Sequence, residues 1–141
     1  MKYLLINGPN LNLLGVREPE IYGNTTLAQI SEELVEYFKE ANSELLCFQA
    51  NSEGQIIEFL HQNADAKGII INPAALGHYS LSLYDALISI QVPYVEVHIS
   101  NIYAREEYRH KSVISSKAKG IIIGCSTKGY KLAARYLLDQ L

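Results

Sequence analysis

The sequence predicts an α/β fold in which helices cover both faces of one parallel β-sheet. Short apolar segments alternate with longer amphipathic ones along the chain, which is the pattern of repeated β-α units. The short segments are apolar throughout, as expected of parallel strands that are buried on both faces. Because a domain averages roughly 100–200 residues, the length of 141 residues predicts a single domain, residues 1–141.

The first half of the chain contains two predicted strands and two predicted helices. The strands are the apolar segments 2–6 and 45–49. Thr25 or Thr26 caps the first helix and Ser52 opens the second, since hydroxyl oxygens accept hydrogen bonds from the free N–H groups at a helix start. The residues expected on the buried helix faces are Leu27, Ile30, Leu34, Tyr37 and Phe38 in the first helix, and Ile56, Ile57, Leu60 and Ala64 in the second.

The second half adds three predicted strands, residues 69–71, 94–99 and 121–123. A short helix over 103–109 follows the fourth strand, and a final helix over 128–140 follows the fifth. The helix between the third and fourth strands is predicted from the spacing of Leu81, Leu83, Ala86, Leu87 and Ile90. Five β-α units in this length imply a flavodoxin-like, doubly wound, five-stranded parallel sheet with strand order 2-1-3-4-5.

Composition and charge exclude several classes of protein. With 48% hydrophobic and 19% charged residues, the chain has the balance of a globular protein rather than a disordered one. The net charge is −3 and the 12 basic residues form no stripe, so no nucleic-acid partner is expected. No segment approaches the roughly 20 apolar residues of a membrane helix, so we expect a soluble, cytoplasmic protein with no membrane partner. Cys47 and Cys125 are expected to be small buried side chains.

Polar side chains follow the predicted strands at the edge where ligands bind in open α/β sheets. The loop after the first strand, residues 7–23, is about twice the usual length, and long loops in compact domains are usually functional. Asn72 and His78 follow the third strand. The fourth strand and the segment after it contribute Glu96, His98, Ser100, Arg105 and Arg109. We therefore expect polar groups to converge on one edge of the sheet.

The residue types at this edge exclude the common ligands of the fold. The chain has neither the G-x-G-x-x-G pattern of dinucleotide sites nor a Walker loop. Amides, arginines, histidines and a tyrosine suit a small oxygen-rich anion, and no metal-ligand spacing accompanies them.

Each of these residues also has a structural explanation that the sequence leaves open. Tyr22 is one of ten tyrosines, most of which serve packing, and Arg17 fits a solvated charge. His98 fits a hydrogen-bonded core histidine. The asparagines fit turns, and His78 and Ser80 fit helix caps.

The segment from Asn7 to Gly23, NGPNLNLLGVREPEIYG, resembles the signature loop of the type II 3-dehydroquinate dehydratases. Further matches to this family follow in order along nearly the whole chain. They are EGQII (53–57), INPAA (71–75) with His78 and Ser80, DAL (85–87), VEVHISN (95–101), AREEYRH (104–110) and KGYKLA (128–133).

The resemblance implies a single catalytic domain that removes water from 3-dehydroquinate to give 3-dehydroshikimate, in the shikimate or quinate pathway. It implies an anti elimination through an enolate, with no cofactor and no metal. Tyr22 would be the base that removes the proton next to the ketone. Since a free tyrosine ionises near pH 10, such a base needs a neighbouring cation, and Arg17 on the same loop would supply it. His98 would be the general acid that protonates the leaving hydroxyl, with Glu96 orienting it.

The resemblance also implies how the substrate is held. Asn10 would stabilise the enolate oxygen, through a bound water, with Asn12 supporting the loop. The implied carboxylate ligands are Asn72, Ser100 and the backbone N–H of Ile99, and the implied partners of the ring hydroxyls are His78 and Arg109. Asp85 would reach into the site of a neighbouring subunit, so the resemblance implies a homo-oligomer of trimers, usually assembled as a dodecamer.

Two alternatives remain open at this point. The first is a noncatalytic module that binds a small anion on the same fold. It would be expected to lack one of Tyr22, Arg17, His98 or Asn10, and the sequence contains all four. The second is a dehydratase that forms a Schiff base through a lysine, and no lysine lies in the converging loops.

Overall fold

The computed structural model describes residues 1–16 and 18–140 and contains one five-stranded parallel sheet with order β2-β1-β3-β4-β5. The predicted fold class and strand order are therefore confirmed. The strands are β1 (Lys2–Asn7), β2 (Glu44–Gln49), β3 (Gly68–Asn72), β4 (Tyr94–His98) and β5 (Gly120–Ile123). The helices are α1 (Pro19–Tyr22), α2 (Leu27–Glu40), α3 (Glu53–Gln62), α4 (Leu81–Ile90) and α5 (Lys128–Gln140).

Two apolar cores lie on opposite faces of this sheet. Side chains alternate along each strand, so Leu5 and Ile70 pack with residues of α2 and α5, whereas Leu4 and Ile69 pack with residues of α3 and α4. The central strands β1, β3 and β4 are buried almost throughout. Burial on both faces explains why the interiors of β1 and β3 are apolar without alternation, whereas β4 also carries the buried polar residues Glu96 and His98.

Caps place the helix starts where the sequence predicts them. Thr26 forms a capping box with Gln29 at the start of α2, because each side chain accepts a hydrogen bond from the other residue's backbone N–H. Ser52 caps α3 and Ser80 caps α4, each through its side-chain oxygen. These caps fix the points at which the loops after β1, β2 and β3 end.

Several expectations from the sequence are wrong in detail. Helix α3 ends at Gln62, so Ala64 lies beyond it and is exposed. Both cysteines are exposed rather than buried. Cys47 lies on β2, an edge strand that is covered less completely than the central strands. The predicted helix over 103–109 is two 3-10 turns, Ile102–Ala104 and Glu107–Arg109.

The loops after β1 and β3 are in direct backbone contact. The N–H of Gly8 donates to the carbonyl oxygen of Asn72 at 2.8 Å. A Cβ atom at residue 8 would lie 2.3 Å from the carbonyl oxygen of Pro73, so a side chain there would force the two loops apart. No helix in the described part of the chain is long and apolar enough to cross a membrane.

Candidate active site

A cavity of about 150 Å³ lies at the carboxyl ends of β1, β3 and β4. The loops after these strands form its walls, as expected for an open α/β sheet. The predicted site residues that line it are Asn10, Tyr22, Asn72, His78, His98, Ile99, Ser100 and Arg109. Arg105 lines it as well.

His98 and Glu96 form a buried pair at the end of β4. The His98 Nε2 atom lies 2.5 Å from the Glu96 Oε2 atom, and the glutamate side chain is completely buried. Ser112 donates to the same oxygen at 2.6 Å, and Ser115 donates to the other carboxylate oxygen at 2.6 Å. Both residues of the pair lie on the α3/α4 face because they are two apart on a strand.

These hydrogen bonds determine the charge of Glu96. Burial alone favours the neutral acid, but the donors His98, Ser112 and Ser115 outweigh it and hold the pKa of Glu96 below its usual value. The carboxylate is therefore ionised at neutral pH and accepts a hydrogen bond from the Nε2–H group of His98. The other ring nitrogen of His98, Nδ1, makes no hydrogen bond to Glu96.

His78 is held by a backbone carbonyl on the loop before β5. Its Nδ1 atom lies 2.7 Å from the carbonyl oxygen of Lys111, so Nδ1 carries the proton and donates. The rings of His78 and His98 lie 6.1 Å apart between centroids. Nε2 of His78 is left as the ring nitrogen that can accept a hydrogen bond from a ligand.

Tyr22 approaches the cavity from the one-turn helix α1, within the long loop after β1. Its hydroxyl oxygen accepts a hydrogen bond of 2.7 Å from the guanidinium of Arg105. The same guanidinium donates to Ser100 at 3.3 Å. Its central carbon lies 5.6 Å from the centroid of the tyrosine ring. Arg105 therefore connects the loop to the end of β4 and places a positive charge at the phenolic oxygen.

The backbone of this loop follows an unusual path. Asn10 has φ 71° and Glu18 has φ 45°, in the left-handed region that L side chains rarely adopt, and Gly15 and Gly23 also have positive φ. The backbone N–H of Asn10 donates to the side chain of Asn51 at 2.9 Å, which ties the beginning of the loop to the segment after β2. Arg17, predicted as the partner of Tyr22, lies outside the described residues.

Asn72 is held from two sides at the end of β3. Its Oδ1 atom accepts from the backbone N–H of Ala74 at 3.1 Å, and its Nδ2 atom donates to the hydroxyl of Tyr130 at 2.9 Å. That hydroxyl in turn donates to the side-chain oxygen of Asn7 at 2.6 Å. The three side chains form a buried polar cluster beneath the cavity.

Arg109 contacts the cavity from the second 3-10 turn after β4. It donates through Nε to Glu106 at 2.7 Å, and this bond lowers the pKa of the exposed Glu106 carboxyl to about 2. An ionised Glu106 occupies one donor of the guanidinium, so the remaining N–H groups of Arg109 are available to a ligand.

Not every predicted residue reaches the cavity. Asn12 and Asp85 are exposed and are absent from its lining, and Glu96 contacts it through His98. Asp85 lies on an exposed surface of α4, outside the cavity of its own chain. Its proposed role requires a second subunit.

The structure also identifies contributors that the sequence analysis did not assign. Arg105 was recognisable as one of two arginines after the fourth strand, but nothing in the spacing selects it as the partner of Tyr22. Ser112, Ser115 and Tyr130 follow no local pattern, because each meets its partner across 16, 19 or 58 positions of the chain.

Within residues 1–16 and 18–140, no group of three or more histidine, cysteine, aspartate or glutamate side chains is arranged to hold a metal ion.

Known proteins are similar to this chain over nearly its whole length. A family model described as dehydroquinase class II matches residues 1–138. A 3-dehydroquinate dehydratase of Bacillus subtilis (strain 168) is 50% identical over 139 residues, covering 98% of this chain and 94% of the relative. The crystal structure of a type II dehydroquinase from Propionibacterium acnes matches with a TM-score of 0.93 and 45% identity, covering 99% of this chain and 97% of that one. A type II dehydroquinase from Butyrivibrio crossotus matches with a TM-score of 0.94 and 46% identity, covering 97% of both chains.

Proposed function

The chain belongs to the class II dehydroquinase family, and we propose how the residues of its cavity carry out the reaction. It is a 3-dehydroquinate dehydratase, a lyase of the shikimate pathway that converts 3-dehydroquinate into 3-dehydroshikimate. The residue roles that follow are our proposal. The observation that carries it is the hydrogen bond from Arg105 to the hydroxyl of Tyr22, in a cavity that His98 also lines.

Tyr22 is the base in this proposal. Its phenolate takes the proton next to the ketone, and the electron pair of that C–H bond moves into an enolate. A phenolate is stabilised by a guanidinium within hydrogen-bond distance, and this effect is strong where water is excluded. Arg105 supports this role by its position, and Arg17 is proposed as a second cation on the same loop.

His98 is the general acid. When the enolate re-forms its ketone, the bond between carbon and the leaving hydroxyl breaks, and the protonated imidazole supplies the proton that turns the hydroxyl into water. The ionised Glu96 supports this role because its hydrogen bond with Nε2 fixes the orientation of the ring. Asn10 is proposed to stabilise the negative charge on the enolate oxygen through a bound water, with Asn12 supporting the loop.

The remaining polar residues are proposed to hold the substrate. The carboxylate is bound by Asn72, Ser100 and the backbone N–H of Ile99, where several donors converge at the end of the sheet. The ring hydroxyls are bound by the acceptor nitrogen of His78 and by the free N–H groups of Arg109. We propose that the reaction needs neither a cofactor nor a metal, since acid, base and anion ligands all come from the chain.

The assembly is proposed to be a trimer, built further into a dodecamer. Asp85 is exposed on α4 and would complete the cavity of a neighbouring subunit. Light scattering of the purified protein measures the mass directly, and a trimer or a multiple of it is the expected result. A stable monomer with full activity would remove Asp85 from the site.

The reaction is tested by adding 3-dehydroquinate to the purified protein and following the ultraviolet absorbance of the conjugated enone in the product, with a chelator present. We expect turnover that the chelator leaves unchanged. Loss of turnover with chelator would contradict the metal-free mechanism. Binding of the substrate without turnover would favour a noncatalytic anion-binding module.

Borohydride added with substrate separates this mechanism from Schiff-base chemistry. The cavity-lining residues that the structure describes include no lysine, so no covalent adduct is expected. A lysine trapped by reduction would overturn the proposed role of Tyr22.

A further inference from the structure

Tyr130 takes part in none of the steps above, yet its hydroxyl contacts two asparagines at the end of the sheet. Its ring belongs to the core between α5 and the sheet, and its side chain is 1% exposed. Asn7 and Asn72 end β1 and β3 and are paired in register, so both side chains leave the sheet on the face that α5 covers. The hydroxyl of Tyr130 bridges them.

The directions of these hydrogen bonds are determined by the numbers of available protons. A phenol has one proton, and the Asn7 Oδ1 atom can only accept, so the hydroxyl of Tyr130 donates to Asn7. The hydroxyl can then only accept from Asn72, which must present its Nδ2 atom. Burial raises the pKa of Tyr130, so the hydroxyl keeps the proton that this arrangement needs.

The other end of the Asn72 amide agrees with this assignment. Its Oδ1 atom accepts from the backbone N–H of Ala74. A reversed amide would place two donors against each other at Ala74 and two acceptors against each other at Tyr130, and both contacts are buried or nearly so. One N–H of Nδ2 is used by Tyr130, and Asn72 lines the cavity.

We propose that Tyr130 is a positioning residue for substrate binding, because it fixes the Asn72 amide so that the second N–H of Nδ2 is available to an oxygen of the substrate carboxylate. This inference rests on the proposed role of Asn72 as a carboxylate ligand. Neither Tyr130 nor Asn7 is among the described residues that line the cavity, so both act through Asn72.

The test is the variant Tyr130→Phe, which keeps the ring in the core and removes the hydroxyl. The substrate carboxylate takes no part in the reaction and is bound alike in the ground state and the transition state. We therefore expect KM to rise about tenfold while kcat changes by less than about twofold. Calorimetric titration with 3-dehydroshikimate should show a similar loss of affinity. The control is Tyr3→Phe, which removes a phenolic oxygen from the same core at the opposite end of β1 and should leave KM unchanged.

A double-mutant cycle separates positioning from a merely structural effect. Where the amide is absent, in Asn72→Ala, adding Tyr130→Phe should change KM by less than about twofold, because residues that act through one another are not additive. An unchanged KM in Tyr130→Phe, or the same increase in both backgrounds, would overturn the inference.

The cycle also distinguishes failure of this inference from failure of the proposed carboxylate role of Asn72, on which it rests. If Asn72→Ala leaves KM unchanged while the wild-type enzyme turns over, the carboxylate role of Asn72 and the positioning role of Tyr130 both fail. If Asn72→Ala raises KM and Tyr130→Phe does not, the inference alone fails. Should Tyr130→Phe not fold, Asn7→Ala takes its place in the same cycle, because it removes the acceptor that orients the Tyr130 hydroxyl and so weakens the hold of that hydroxyl on the Asn72 amide. A KM rise that vanishes in the Asn72→Ala background is again the supporting result, and an unchanged KM contradicts it.

Discussion

The two sides of the cavity are built in different ways. At the strand ends, Glu96, His98 and Asn72 are buried, and each makes hydrogen bonds to side chains or backbone of the folded core. On the loop after β1, Tyr22 is only half-buried, and Val16 on the same loop is 79% exposed. The proposed acid, His98, therefore belongs to the sheet, whereas the proposed base, Tyr22, belongs to a surface loop.

This difference predicts whether variants on each side of the cavity affect activity alone or both activity and stability. Removing a buried hydrogen-bonded group from the strand ends costs stability as well as activity, because its partners are left unsatisfied away from water. Removing only the phenolic oxygen of Tyr22 from the loop leaves the ring packed against the core, so the effect falls on catalysis. Variants on the two sides should therefore separate in a plot of activity against the free energy of unfolding.

The largest effect is expected from Tyr22→Phe, on the loop side. Loss of the proposed base should lower kcat by about 10³-fold, within the usual contribution of general acid-base catalysis. The free energy of unfolding should change by less than about 0.5 kcal/mol, as for substitutions outside the core. Steady-state kinetics and urea unfolding measure the two quantities.

The matched control is Tyr136→Phe, which removes the hydroxyl of an exposed tyrosine on α5. It should leave both kcat and stability unchanged. Turnover retained in Tyr22→Phe would assign the base to another group and break the comparison between the two sides.

The next effect is expected from Arg105→Ala, which removes the cation at the phenolic oxygen of Tyr22. A preorganised donor at a developing or reacting charge contributes about 10²-fold to kcat, so a fall of that order is expected. Arg105→Lys should lose less, since it keeps the charge. Arg135→Ala, on the exposed face of α5, is the control and should behave as wild type. An unchanged kcat in Arg105→Ala would show that Arg105 is not needed to stabilise the phenolate.

Glu96→Gln tests the strand-end side, where activity and stability should fall together. An amide cannot accept from His98, Ser112 and Ser115 as the carboxylate does, so we expect a loss of about 1–3 kcal/mol in the free energy of unfolding. Because the pKa of Glu96 is lowered in the folded state, its charge stabilises the fold above the ordinary value of 4.5, and this contribution disappears as the pH falls through the folded value.

Urea unfolding of wild type and Glu96→Gln at pH 7 and near pH 3 measures this dependence. The gap between the two proteins should be large at pH 7 and narrow in acid. Glu36→Gln, at an exposed position on α2, should show no such gap. A constant gap across this range would mean that the charge of Glu96 does not contribute to stability.

The smallest effect is expected from Thr26→Ala, which removes half of the capping box where the loop enters α2. Loss of such a cap costs about 1 kcal/mol, and kcat should change little because the cap contacts no proposed site residue. A large fall in kcat would show that the cap also holds Tyr22 in place. The effects of the loop on activity and of the helix on stability would then not be separate.

The fold was predictable because its determinants are local. Continuous apolar runs mark β1 and β3, and hydroxyl caps mark the starts of α2, α3 and α4. The errors occur where exposure depends on which elements lie nearby. Cys47 is on an edge strand, and the sequence of β2 alone does not tell how completely α2 and α3 cover it.

The site was predictable only in part. The family resemblance supplied roles for His98 and Tyr22, and the strand-end rule supplied their common location. Tyr130 meets Asn7 across 123 positions of the chain, and such a contact has no local signature because packing of α5 on the sheet creates it. The same is true of Ser112 and Ser115, which reach Glu96 across 16 and 19 positions from the segment before β5.

The close approach of Gly8 to Pro73 has a consequence for engineering the enzyme. Since these loops touch backbone to backbone, neither can be redesigned by itself to admit a larger substrate. A loop transplanted from another protein would lie against a neighbouring loop whose backbone path fits the original loop. A library of variants designed for new substrates should therefore exchange the loops after β1 and β3 together, as a single unit.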